Sequence, residues 1–394
     1  MKVLSFSYCF PNSTKPQWGI FVLQRLGALA KLDEVEVVSP VPIFRPVRGR
    51  GPLPASETLA GLKVHRPGFL CVPGLFKSCD AWLYARALRP WLRDYCRTNR
   101  PDLLDAHFIW PDGVAVAMLA AEMNLPFVIT LRGKIFECTA GSMNRQCRAA
   151  LHTAAAVISV SKQMADLAIE WGHPASSMHL IPNGVDTNLF HPRDRIACRR
   201  RLGLPTQQPM IVAVAHLKPS KGVGELVEAV SRLHPRPHLV LVGGEAERGY
   251  RRTLQQQIAR LGVSEHVSLV GAQSYENIPL FLSAADVCVL ASHREGCPNV
   301  VLESLSSGTP VVASDVGAVR DILRHGEDGL IYPAGNVGRL VVSIKTALQR
   351  SWSQAALHAA PGVVHWRRVA IDVHKVLEHA CSKPTPAGMP KEAT

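Results

Sequence analysis

The chain has 394 residues, 47% of them hydrophobic, with 44 Lys and Arg against 31 Asp and Glu for a net charge of +13. That length and apolar content suit two or three folded domains and exclude a disordered chain. No run reaches about 18 uninterrupted apolar residues, which excludes a transmembrane helix.

In chain order, residues 2–8 read as a first core strand. The apolar start, broken at Pro11, is too short for a signal peptide. Residues 20–32 have helical periodicity and 35–39 form a strand. The Pro-, Gly- and Arg-rich stretch 41–61 reads as an irregular excursion, with a short strand at 62–66. Residues 81–100 are helical, with a break or kink expected at Pro90. Strands at 103–106 and 127–131 flank a helix at 114–123. Helices at 143–154 and 162–171 alternate with strands at 156–160 and 179–182. Residues 184–208 are polar and read as a linker with one short helix.

The same grammar then restarts. Strands fall at 210–215, 238–242, 267–270, 287–290, 310–313 and 330–332. Helices fall at 222–233, 251–261, 278–284, 300–307 and 337–348, and a last one at about 363–379. Alternating strands and helices imply an α/β fold of parallel sheets covered on both faces. Two such runs imply two doubly wound, Rossmann-like domains with a cleft between them and ligands at the carboxyl ends of the strands. The expected divisions are 1–188, 189–362, a final helix at 363–381 and a disordered tail at 382–394.

The charge is uneven. Residues 45–100 carry eleven Lys and Arg against Glu57, Asp80 and Asp94. Arg86, Arg89, Arg93, Arg97 and Arg100 recur at three- and four-residue spacing, among Trp82, Trp91 and Tyr95. This is a solvated basic face over a buried one, or a docking surface for an anionic bilayer. The ten cysteines are scattered without a CxxC pair. They read as reduced thiols in a cytoplasmic setting, neither a disulfide frame nor a zinc site.

The stretch richest in chemistry is Glu295-Gly-Cys-Pro-Asn-Val-Val-Leu-Glu303. It reads as a loop turning at Gly296 into a helix that starts at Pro298. The helix N-terminus would form an anion site between two carboxylates. Lys221-Gly222 follows a strand, so the lysine can reach a phosphate. There is no GxxxxGK[ST] and no strand leading into GxGxxG. Gly243 and Gly271 end strands, where they make tight bends or let a ligand approach the backbone. His107 and Arg132 close strands in the first half. His107 is a structural histidine or a substrate contact, and Arg132 is a fixed cation suited to phosphate.

Together these residues resemble the retaining glycosyltransferases of family 4, which have the GT-B fold. Glu295 to Glu303 is similar to that family's E-x7-E signature. Supporting it are Ile181-Pro-Asn-Gly-Val-Asp186, Lys221-Gly222, Ala284-Ala-Asp286 and Asp315-Val-Gly317. Pro111-Asp-Gly113 and Leu131-Arg-Gly-Lys134 resemble bacterial enzymes of exopolysaccharide or teichuronic-type synthesis. The resemblance implies transfer of a hexose from a nucleotide-diphosphate sugar, UDP-linked, with retention of configuration. The acceptor would be a saccharide or a polyprenyl-diphosphate-linked saccharide at the inner membrane face. No metal, cofactor or nucleic acid is implied.

On this resemblance Glu295 binds the sugar hydroxyls, Glu303 the ribose and Lys221 the leaving diphosphate. The loop at Gly19 closes over the donor, and the last helix crosses back to the first domain. Two positions depart from the pattern. His216 stands where the family often has an arginine, so the diphosphate lacks one fixed cation. Arg132 stands where many members have a histidine, which leaves His107 as a neighbouring candidate. The alternatives are a soluble acceptor, a GT-B UDP-N-acetylhexosamine epimerase, and a nucleotide-sugar or nucleic-acid binding protein without turnover.

Overall fold

The structure, a computed structural model, describes residues 1–43, 53–71 and 77–382. Arg45, Arg48 and Arg50 of the basic stretch and the tail from 383 onward lie outside the described residues. The chain forms two compact units, divided between Asn183 and Gly184 and again between His365 and Trp366. The first division falls ahead of the expected boundary at 188 because Val185 N–H bonds the Val364 carbonyl at 2.9 Å and Phe190 is fully buried in the second unit's core.

The first unit contains strands β1 (Lys2–Phe6), β2 (Glu34–Val38), β3 (Val41–Ile43), β4 (Ser56–Leu59), β5 (Leu62–His65), β6 (Gly68–Leu70), β7 (Leu103–His107), β8 (Phe127–Leu131), β9 (Ala156–Ser159) and β10 (Met178–Leu180). Its helices are α1 (Ile20–Leu29), α2 (Asp80–Thr98), α3 (Val114–Met123), α4 (Gly141–Thr153) and α5 (Lys162–Glu170). The main sheet runs β10-β9-β8-β7-β1-β2-β5-β4, and β3 pairs separately with β6. Only β4 in the main sheet is antiparallel to its neighbour. The strand order reverses between β1 and β7.

Two expectations change here. The stretch 41–61 is not wholly irregular, since β3 and β4 lie within it. Helix α2 runs unbroken through Pro90. Tyr84 and Leu88 before the proline and Leu92 after it are all fully buried. Packing on both sides therefore holds the helical path that the lost N–H bond would otherwise weaken.

The second unit contains β11 (Met210–Val214), β12 (His238–Val242), β13 (Val267–Gly271), β14 (Val287–Leu290), β15 (Val311–Ser314) and β16 (Gly329–Tyr332). Its helices are α6 (Arg195–Leu202), α7 (Val223–Ser231), α8 (Tyr250–Arg260), α9 (Ile278–Ala284), α10 (Asn299–Ser306), α11 (Val319–Ile322), α12 (Val337–Gln349) and α13 (Gln354–His358). All six strands are parallel, in the order β13-β12-β11-β14-β15-β16. Alternate residues serve opposite faces. Met210, Val212 and Cys288 join one core, and Ile211, Ala213 and Val289 join the other. The order reverses between β11 and β14, the position where doubly wound sheets open a crevice at their carboxyl ends.

The last helix, α14 (Trp366–Cys381), belongs to the first unit. It packs on α1 through Trp366 Nε1, which donates to Gln24 Oε1 at 3.0 Å. Among the described residues no helix is long and apolar enough to cross a membrane.

Candidate active site

Strands β11 and β14 flank the reversal, and each sends a loop from its carboxyl end. The β11 loop carries Lys221 and the β14 loop carries Glu295, 74 residues later. Gly222 brings the loops into contact. It adopts φ 62°, and a Cβ there would stand 2.0 Å from the Ala291 carbonyl oxygen, so no side chain fits. His293 N–H bonds the Ser220 carbonyl at 3.0 Å and ties the loops a second time. On the far side Gly317 (φ 55°) packs against the carbonyls of Glu295 and Gly296, and Ala318 N–H bonds the Gly296 carbonyl at 2.8 Å.

Held this way, Lys221 Nζ donates to Glu295 Oε1 at 2.5 Å, and Ser292 Oγ donates to the same oxygen at 2.6 Å. Ser314 Oγ fixes Ser292 by donating to its carbonyl at 2.6 Å. Helix α10 starts four residues after Glu295, at Asn299. Pro298 takes the extended capping position (φ −76°, ψ 102°), one place earlier than its expected first helical position. The first-turn N–H groups at Asn299 and Val300 have no carbonyl one turn earlier within the helix. A cation, a carboxylate and a helix N-terminus thus share one strand-end region.

Glu303 lies in the middle of α10 and is only 9% exposed. Burial pushes its carboxyl up to about 7, and a hydrogen bond from Tyr275 opposes the shift. Tyr275 itself packs edge-on against Phe190 with centroids 5.2 Å apart. His216, in the β11 loop, is pushed below the ordinary histidine value by burial and by Lys221 and Lys218. Both effects favour the neutral ring, so it supplies no fixed charge. Gly243 (φ 156°) is required by packing, since a Cβ would stand 1.9 Å from the Ala215 carbonyl oxygen. Gly271 ends β13 at φ 85°.

The first-unit candidates form a separate cluster. His107 ends β7 and is fully buried. Its Nε2 lies 3.0 Å from Asp105 Oδ2, and its Nδ1 lies 3.4 Å from Arg132 Nη2. Burial pushes the imidazole down to about 4. A neutral ring with its proton on Nε2 turns its lone pair toward Arg132, while Nε2 lies close to Asp105 without hydrogen-bond geometry. Burial tends to raise the Asp105 carboxyl, but His107, Arg25 and Ser5 together hold it down at about 2. Arg132 is 3% exposed, donates to Asn183 Oδ1 at 3.0 Å and lies 4.6 Å over the Phe21 ring. His107 therefore lies sealed between Asp105 and Arg132, with no exposed surface in this unit. Gly19 caps α1 at φ 78°, with the Cys9 carbonyl oxygen 2.1 Å from where its Cβ would be.

Two residues with roles in these clusters, Ser292 and Tyr275, were not singled out from sequence, while Asn183 was read only within the 181–186 motif and Asp105 only as a neighbour of His107. Asp105 stands two residues before His107 on the same strand face, which was its local signal. Among the described residues no group of three or more His, Cys, Asp or Glu is placed to hold a metal ion.

Solved structures share this fold. Sucrose-phosphate synthase from Thermosynechococcus elongatus superposes with a TM-score of 0.79 at 22% identity, covering 95% of this chain and 98% of that one. Anabaena Alr3699/HepE, solved in complex with UDP, superposes with a TM-score of 0.77 at 21% identity, covering 96% and 100%. The fold is GT-B, the two-domain architecture of nucleotide-dependent glycosyltransferases.

The family model described as Glycosyltransferase Family 4 matches residues 19–189, and that described as Glycosyl transferases group 1 matches residues 194–360. The putative teichuronic acid biosynthesis glycosyltransferase TuaC of Bacillus subtilis is 30% identical over 349 residues, 84% of this chain and 86% of that protein. The chain belongs to the group 1, family 4 glycosyltransferases.

Proposed function

We propose that this glycosyltransferase moves a hexose from a UDP-linked sugar to a hydroxyl of a saccharide or polyprenyl-diphosphate-linked saccharide, with retention, in surface or exopolysaccharide synthesis. The observation that carries the reading is the Lys221–Glu295 pair beside the N-terminus of α10, at the strand reversal of the second unit. A sugar diphosphate carries hydroxyls where a carboxylate is useful and negative charge where a lysine and a helix terminus are useful. HepE, which shares the fold, has been solved with UDP and with UDP-glucose, and this supports the donor class.

In this reading Glu295 accepts hydrogen bonds from the sugar and stabilises a cationic anomeric carbon. Lys221 and the N–H groups of Asn299 and Val300 take up charge as the sugar–phosphate bond breaks. The acceptor oxygen bonds to the anomeric carbon, and its proton passes to the leaving phosphate. Glu303, held by Tyr275, binds the ribose. The protein itself supplies the positive charge for the leaving group, so the scheme calls for no metal. Arg132 acts electrostatically.

The lipid-linked acceptor places the enzyme on the inner membrane face. Exposed Trp82, Arg86 and Arg97 on α2 support that placement. The basic stripe is weaker than its count suggests, because Arg89 and Arg93 share Glu122. Thermal shift with UDP and GDP tests the donor reading. UDP raises the melting temperature if the reading is right, and no shift with either nucleotide removes it. Flotation with anionic vesicles at low salt tests the membrane placement, and failure there favours a soluble acceptor.

A further inference from the structure

Lys221 and Glu295 satisfy each other through a short charge-assisted bond. Their side chains are 20% and 16% exposed, open enough to meet a ligand yet shielded enough for the bond to matter. The geometry is imposed, since Gly222 and the His293–Ser220 bond clamp the two loops together. A diphosphate that recruits Lys221 must therefore draw it away from Glu295.

The donor and the nucleotide product differ in what they give back. A sugar diphosphate offers phosphate oxygens to Lys221 and hydroxyls to Glu295, so both groups find new partners. A nucleoside diphosphate offers a partner to Lys221 alone and leaves Glu295 with only Ser292 Oγ. We propose that the Lys221–Glu295 pair is a latch that discriminates the intact donor from the nucleotide product and favours product release. The latch rests on the donor reading above. It makes Glu295 a residue that weakens binding of the product while it strengthens binding of the sugar.

The test is a double-mutant cycle read by calorimetric titration with UDP, or with GDP if GDP raises the melting temperature more. Glu295→Gln in the wild-type background is expected to slow transfer about 10²–10³-fold yet tighten the nucleotide about three- to tenfold. In the Lys221→Gln background the same change is expected to move affinity by less than about twofold. No tightening in the first background overturns the latch. Equal tightening in both backgrounds also overturns it, because Glu295 would then act only as a distant like charge. If neither nucleotide stabilises any of the four proteins, and their unliganded melting temperatures agree, the donor reading fails and takes the latch with it.

Discussion

On β7 and just after β8, Asp105, His107 and Arg132 are 0%, 0% and 3% exposed and face one another, Ser5 and Asn183 within the first unit. At the ends of β11 and β14, Lys221 and Glu295 keep 20% and 16% of their side-chain surface. Both clusters arise from one grammar, polar residues where buried parallel strands stop. The contrast shows that burial decides what such residues do. Sealed charges must be neutralised by neighbours and become part of the unit's stability. Half-open charges remain able to exchange partners.

The largest expected effect separates the two directly. Asp105→Ala leaves buried Arg25 and His107 without their carboxylate, and should cost about 3–5 kcal/mol in chemical denaturation. Lys221→Ala should cost about 1 kcal/mol or less by the same measurement. Equal costs would break the comparison. Next in size, Glu295→Gln should reduce sugar transfer about 10²–10³-fold with the melting temperature nearly unchanged. A parallel loss of stability would show that Glu295 is structural.

The pH dependence sharpens the contrast, because buried groups in the two units carry opposite signs. The Glu303 carboxyl is raised from an ordinary value of 4.5 to about 7. Between those values only the folded state holds the proton, so stability falls as pH rises through that window, by on the order of 3 kcal/mol. His107 is lowered from 6.5 to about 4, so between those values only the unfolded state holds the proton. Stability there falls as pH drops. Urea denaturation across the range should show Glu303→Gln flattening the first slope and His107→Gln the second. The smallest effect is a gain. His216→Arg restores a fixed cation beside Lys221 and should lower the donor KM about three- to tenfold, most clearly at low salt. An unchanged KM would show that the site already holds all the charge it can use.

Much of the architecture was legible in the chain. The apolar runs at β8, β12 and β14 and the periodic stretches at α3 and α9 have the bounds that their patterns predict. Helix α13 (Gln354–His358), the unbroken path through Pro90 and the two short strands within 41–61 were not legible. Each depends on packing partners remote in sequence. The two carboxylates of the Glu295–Glu303 stretch, Lys221 and the departure at His216 were all visible as residue types at telling positions. Their contacts were not.

Sequence by itself determined most of the elements, the α/β class and the residues able to carry charge, because periodicity and turn chemistry are local. Tertiary structure decided that the order reverses between β11 and β14, and so that Lys221 meets Glu295 across 74 residues. It also decided that His107 is sealed, that Glu303 is pushed up by burial and that His216 is pushed toward its neutral form. Solvent access and local field are sums over neighbours brought in by sheet order, and no spacing along the chain encodes that sum.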